Sequence, residues 1–212
     1  MESVRPIPCR WKRNVRAADA VGRRIRGLGR AVLGGLGFTL LLAAGAGGGA
    51  GSQASEYELK AALIHKFVKY VEWPAQRFSD KSAPVVIGVF GHDPFGEILD
   101  RTLEGKKHGD RSFEILRLKD LEELGRCHIL FLPEQEKGQE KRVLQATAGR
   151  GVLLVGEFEG FAAHGGAINF YIEEEKHIRF EINPEAAKDE GLTISSNLLK
   201  LARIVKDERE EG

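Results

Sequence analysis

Gly91-His92-Asp93-Pro94-Phe95-Gly96 carries two glycines spaced like those of a phosphate-binding loop, which would make it a nucleotide site. That chemistry also needs Lys and Ser/Thr directly after the second glycine, to meet phosphate and magnesium. Glu97 and Ile98 stand there instead, and a carboxylate at that place repels phosphate. The segment reads as a tight turn with Phe95 packed inward. His92 and Asp93 remain as candidate contacts to a small molecule or a partner. His65, His92, His108, His128, His164 and His177 raise the question of a metal. None belongs to a His-Glu-x-x-His motif or a Cys/His cluster, whereas zinc sites show close ligand pairs, so no metal or other cofactor is expected. No Gly-x-Ser-x-Gly elbow is present. Cys127 and His128 are strand neighbours, which point to opposite faces and make a poor nucleophile–base pair. Glu173-Glu174-Glu175 reads as the solvated tip of a hairpin. Glu157, Phe158, Glu159 and Phe161 lie in a Gly-rich loop, where exposed aromatics would make a partner surface and packed ones plain core. No catalytic residue is expected.

The elements that must position these residues follow from hydrophobic period. Ser55 or Glu56 opens a helix whose apolar stripe is Tyr57, Ala61, Ile64, Phe67, Val68 and Val71, with Lys60, Lys66 and Lys69 mostly off it. Trp73-Pro74 stops it, because proline disfavours helix at the residue before it. Val85–Phe90, His128–Leu132 and Gly151–Val155 read as buried strands, and Phe113–Leu118 as a further strand. Short helices are expected over Glu97–Leu103 and Asp120–Leu124, and a polar one over Glu134–Ala148. Strand–helix alternation with short connections predicts a parallel sheet flanked by helices. The period then changes to two around Ile168–Glu173 and His177–Ile182, the signature of an antiparallel hairpin with one wet face. A brief helix over Pro184–Glu190 and a final amphipathic helix capped by Ser195 or Ser196, running to Val205, complete the chain. The fold class is α/β: a single domain, mostly parallel sheet, with an antiparallel hairpin near the C-terminus.

Charge separates the first quarter of the 212 residues from the rest. Residues 1–54 hold nine of the 32 Arg/Lys and two of the 31 Asp/Glu, leaving 23 basic against 29 acidic residues in 55–212. The basic stretch Arg5–Arg30 precedes the apolar run Ala31–Ala44 and the small-residue tract Gly45–Ala54. This order is that of a secretory signal peptide, with cleavage after Ala46 or Ala54 and export to the periplasm. The apolar run is shorter than the roughly 20 residues that span a bilayer. Cys9 leaves with the leader, so Cys127 stays as a lone, buried thiol. The acidic balance of 55–212 gives no support for nucleic-acid binding.

Tyr57-x-x-Lys60-Ala61-Ala62 with Phe67 and Trp73-Pro74, then Gly91-x-Asp93-Pro94-Phe95-Gly96-x-x-Leu99, then Cys127-His128-Ile129-Leu130-Phe131 occur in that order. They are followed by Gly166-Ala167-Ile168-Asn169-Phe170, Arg179-Phe180-Glu181-Ile182-Asn183 and Ser195-Ser196-x-Leu198-Leu199-x-Leu201-Ala202. This series resembles the YfiR-like family of small exported bacterial proteins, from about Tyr57 to Val205. The resemblance implies an α/β domain over 55–212 and a periplasmic regulator. Such a regulator binds the periplasmic domain of an inner-membrane diguanylate cyclase, YfiN, represses it, and is released by an outer-membrane lipoprotein. The alternative is a small-molecule-binding module that serves another sensor, such as a histidine kinase or an outer-membrane receptor. An exposed stripe on the first helix would permit a homodimer.

A partner surface of this kind needs a hydrophobic hot spot with a charged rim. Phe158, Phe161, Tyr171 and Arg179 are the expected contacts. A small-molecule site would use the strand-end loops near His92, Asp93, Glu157 and Asn183.

Overall fold

The computed structural model describes residues 49–174 and 177–209, with side chains from residue 53 onward. The basic stretch, the apolar run, Cys9 and the cut after Ala46 lie outside the described residues, as do Glu175 and Lys176 of the hairpin tip.

Helix α1 (Gly49–Phe67) begins six residues before the expected start. Its buried stripe is Tyr57, Ala61, Ile64 and Phe67, as the period predicts. It ends earlier than Trp73-Pro74 requires. Lys69 and Tyr70 donate back to Lys66 and Phe67 in a closing turn, and Val71 leaves the helix for strand β1 (Val71–Glu72). A 3-10 turn, Ala75–Arg77, leads to strand β2 (Val85–Phe90), buried along its length. Helix α2 (Glu97–Leu103), the short strand β3 (Lys107–His108) and strand β4 (Arg111–Leu118) follow. Next come β5 (Ile129–Leu132), a 3-10 turn over Glu134–Gln139 and helix α3 (Glu140–Thr147). The expected continuous helix from Glu134 is thus split, and Gly138 at the junction is a weak helix former. Strand β6 (Leu153–Gly156) precedes the hairpin β7 (Ile168–Glu173) and β8 (His177–Ile182). Helix α4 (Pro184–Asp189) is capped by the Asn183 side chain, which accepts from the Ala186 amide. Strand β9 (Thr193–Ile194) pairs antiparallel with β1.

The last helix is shorter than its sequence period suggests. Helix α5 (Ser196–Leu199) is a single turn capped by Ser195. Strand β10 (Arg203–Ile204) then lies parallel to β8. The edge of β8 supplies what a longer helix would forgo. Val205 donates to the Ile182 carbonyl at 2.9 Å, and Arg203 gains Glu181.

The main sheet has the order β10-β8-β7-β6-β5-β2-β4-β3. Strands β4, β2, β5, β6 and β7 are parallel, and β8 turns back antiparallel to β7. One core lies under α1 and α2, around Phe67, Phe95, Phe131 and Phe170. The other lies on the opposite face with α3, around Leu130, Val143, Phe158 and Phe161.

Cys127 sits in the second core with its thiol pushed up to about 12 by burial. Its Sγ explains a glycine in the middle of β2. A Cβ at Gly88 would come 2.5 Å from Cys127 Sγ and 2.9 Å from Leu130 Cδ1. Gly88→Ala is therefore expected to cost about 1–3 kcal/mol by overpacking. Urea unfolding at neutral pH checks this, and Gly88→Ala/Cys127→Ala should regain part of the loss.

Candidate functional site

The carboxyl ends of the parallel strands form one edge of the molecule, and Glu157 follows the last residue of β6 there. Its side chain is buried, and three groups from distant segments meet it. Lys60 Nζ lies 2.6 Å from Oε2, the Tyr57 hydroxyl donates to Oε1 at 3.1 Å, and the Glu134 amide donates to Oε1 at 3.3 Å. Lys60 also pairs with Glu56 and lies 4.6 Å from the centre of the Tyr57 ring. Burial, then the neighbouring Glu157 carboxylate, pushes the Tyr57 phenol up, so it stays a donor. Tyr57 stacks edge-on against Phe95, and Phe95 against Phe131. Lys60 is itself buried, on the stripe rather than off it. Its spacing of three from Tyr57 and four from Ile64 was the available signal.

Beside Glu157 a groove of about 680 Å³ runs toward the hairpin. Strand β7 meets β6 only at Ile168 and Asn169, so Phe170–Glu173 stand beyond the carboxyl edge, and Phe170–Ile172 wall the groove. Asn169 is buried and bridges two elements. Its Oδ1 accepts from the Phe158 amide at 3.1 Å, and its Nδ2 donates to Glu181 at 3.1 Å. Glu181 holds Arg203 in turn, and the Arg203 guanidinium lies 4.1 Å from the centre of the Tyr171 ring. Hydrogen bonding to Glu181 raises the Arg203 pKa, so the guanidinium is a fixed cation on the groove wall.

The expected partner contacts divide. Tyr171 is half-buried on the groove wall, and Arg179, directly opposite it in the hairpin, is exposed and bonded to Glu173 at 3.0 Å. Phe158 and Phe161 are 3% and 0% exposed and stack on each other at 5.0 Å. They are core; Phe161 presents no surface, and Phe158 reaches the groove only with its small exposed area. The reason is local. Phe161 lies over Gly156 and Gly166, where any Cβ would come within 2.4 Å of its ring.

The expected small-molecule contacts are not brought together. Asp93 Oδ1 accepts from the Phe95 and Gly96 amides, and Oδ2 from Arg117 at 2.7 Å, so it builds its own turn. Glu157 is held as described above. Asn183 is fully buried. It caps α4, donates to the Ala162 carbonyl at 2.8 Å and reaches Asp207 at 3.1 Å. Of the four, His92 alone is exposed. Among the described residues no three His, Cys, Asp or Glu side chains are grouped to hold a metal ion. No described helix is long and apolar enough to cross a membrane.

The sequence profile of the YfiR/HmsC-like family matches residues 57–203. The chain belongs to the YfiR/HmsC-like family. In this member, segments that carry the family pattern build the site. Tyr57 and Lys60 seat Glu157, and Asn169 with Glu181 fixes the loop after β6. Trp73 Nε1 ties the first helix region to the His128 carbonyl at 3.1 Å. No curated protein matches the sequence.

Two solved structures are similar at low identity. One is the ABC domain in complex with L-Trp from Streptococcus pneumonia: 11% identity, 70% of this chain and 60% of that one, TM-score 0.46. The other is a conserved domain protein from Vibrio cholerae O1 biovar El Tor: 13% identity, 71% of this chain and 60% of that one, TM-score 0.44. In each case the chain spans 60% of the other's length.

Proposed function

We propose that this protein is a periplasmic regulator that binds the periplasmic sensor domain of an inner-membrane diguanylate cyclase and holds it inactive, lowering cyclic-di-GMP. The observation that carries the reading is the family match over residues 57–203, which takes in nearly the whole of the described fold. The basic, apolar and small-residue order of residues 1–54 supports export. Cleavage after Ala46 would leave α1 whole, since the helix begins at Gly49.

The groove supports the choice of surface. Tyr171 and the stacked Arg203 are residue types that dominate binding hot spots, and Arg179 and the groove-lining Glu159 charge its surroundings. Repression works by population shift: the regulator binds the inactive sensor better than the active one. Turning a 1:99 preference into 99:1 needs about 5.5 kcal/mol of differential affinity.

The test is binding of the purified protein to the cyclase's periplasmic domain. Tyr171→Ala and Arg179→Ala are expected to weaken it at least about tenfold each, as hot-spot truncations do. Unchanged affinity in both would remove the groove from the interface.

A further inference from the structure

A second cavity lies at the carboxyl edge, on the face of α3. From β2 the chain crosses to β4 on one side, and later returns to β5 on the other. The elements that follow β2 and β5, namely α2 and α3, pack into the cores of opposite faces. This is a topological switch point, where open α/β sheets hold ligands in the crevice beyond the strand ends. The crevice here measures about 590 Å³.

A side chain of the protein already sits in it. Glu136 Oε1 accepts from the His92 amide at 3.0 Å. The same carboxylate lies over Gly91, where a Cβ would come 2.2 Å from Oε1, and Gly91 has the left-handed φ of +68°. The turn therefore offers a backbone donor and a bare Cα to a carboxylate. Lys119 and Arg142 line the same cavity, and Phe90 and Leu121 give it an apolar wall. Asp120 and Glu122 also line it, which repels a polyanion.

We propose that this crevice binds a small monocarboxylate with a short apolar body, whose carboxylate takes the place of Glu136 on the His92 amide. Lys119 and Arg142 face its charge, and Phe90 and Leu121 its body. Glu136 competes for the seat, so the open form is a fraction of the population and the apparent affinity is reduced by that fraction. The proposal is independent of the identity of the protein partner. The turn Glu134–Gln139 nevertheless joins the two cavities, since the Glu134 amide holds Glu157 while Glu136 fills the crevice.

Calorimetric titration of the purified protein with hexanoate, and separately with inorganic phosphate, tests this. Saturable hexanoate binding is expected, tightened about tenfold by Glu136→Ala, because the competing group is gone. Glu136→Gln, which keeps the shape and removes the charge, should tighten it less. Lys119→Ala/Arg142→Ala should weaken it by at least about tenfold, since charge-assisted contacts are lost. Three results would overturn the proposal: no saturable binding of hexanoate to wild type or Glu136→Ala, binding undiminished in the double variant, or binding of phosphate in preference to hexanoate.

Discussion

Lys60→Met is expected to destabilise the protein by about 3–5 kcal/mol at neutral pH, the largest effect of any single change considered. The reason is the state of the partner left behind. Glu157 and Lys60 side chains are 3% and 5% exposed, and their separation is 2.6 Å. Taking either ion out of water is expensive; Lys60 repays it for Glu157, and Glu157 together with Glu56 repays it for Lys60. Without Lys60 the Glu157 carboxylate keeps the Tyr57 hydroxyl and the Glu134 amide but loses its buried cation. Lys60→Met/Glu157→Gln removes both charges and retains most of the volume, so it should recover the greater part of the loss. Urea unfolding of these two variants, of Glu157→Gln and of the wild type gives the coupling energy directly. A loss below about 1 kcal/mol in Lys60→Met would mean that the pair behaves as an exposed one. The consequence reaches the proposed interface, because Glu157 lines the groove.

The second large effect is an acid lability from His128, at the opposite edge of the sheet. Its ring is buried and stacked on Phe78 at 4.4 Å. The Val86 amide donates to Nδ1 at 3.0 Å, and Nε2 meets the Arg77 carbonyl at 3.2 Å. The bonds fit one neutral tautomer, with the proton on Nε2. A second proton on Nδ1 would face the Val86 N–H and leave it unpaired. Burial first, with the charges of Arg77 and Arg111 adding to it, lowers the imidazole from 6.5 to about 4.

Below pH 6.5 the unfolded chain takes up the proton before the folded one does. Stability from this group is complete above about 6.5 and is lost as pH falls toward about 4. At about 1.4 kcal/mol for each unit, the whole loss is about 3 kcal/mol. Asp207 titrates in a separate window. Hydrogen bonding from Arg209 holds its carboxylate down to about 2, so its contribution disappears only below the usual carboxylate range. Unfolding free energies at pH 7.5, 6.0 and 4.5 should fall for the wild type and stay flatter for His128→Asn, which keeps an acceptor without a titrating ring. Equal slopes in the two proteins would contradict the assignment.

What could be read in advance depends on the range of the interaction. Val85–Phe90 and Ile168–Ile182 announce themselves because a buried strand and a half-wet hairpin leave periods of their own. The last helix does not. Leu198, Leu199, Leu201 and Ala202 fit a helical stripe, yet Leu201 is 72% exposed, and β8 claims Arg203 and Ile204 for its edge. Two paired residues leave no period.

The site was legible in its parts and not in its assembly. Glu157 and Tyr171 stood out as candidates, but Lys60 meets Glu157 across 97 positions, and no local pattern encodes that pairing. Phe158 and Phe161 have the composition of a hot spot and the placement of a core. Gly156 and Gly166 decide between the two by making room for the Phe161 ring.

The most direct measurement is intracellular cyclic-di-GMP in the wild type, a deletion strain, and the deletion strain complemented with residues 1–212. A rise on deletion that complementation reverses is the expected result for a repressor of a diguanylate cyclase. The same complementation with Tyr171→Ala/Arg179→Ala should leave the level high if the groove is the interface. An unchanged cyclic-di-GMP level on deletion, under several envelope stresses, would contradict the proposed function.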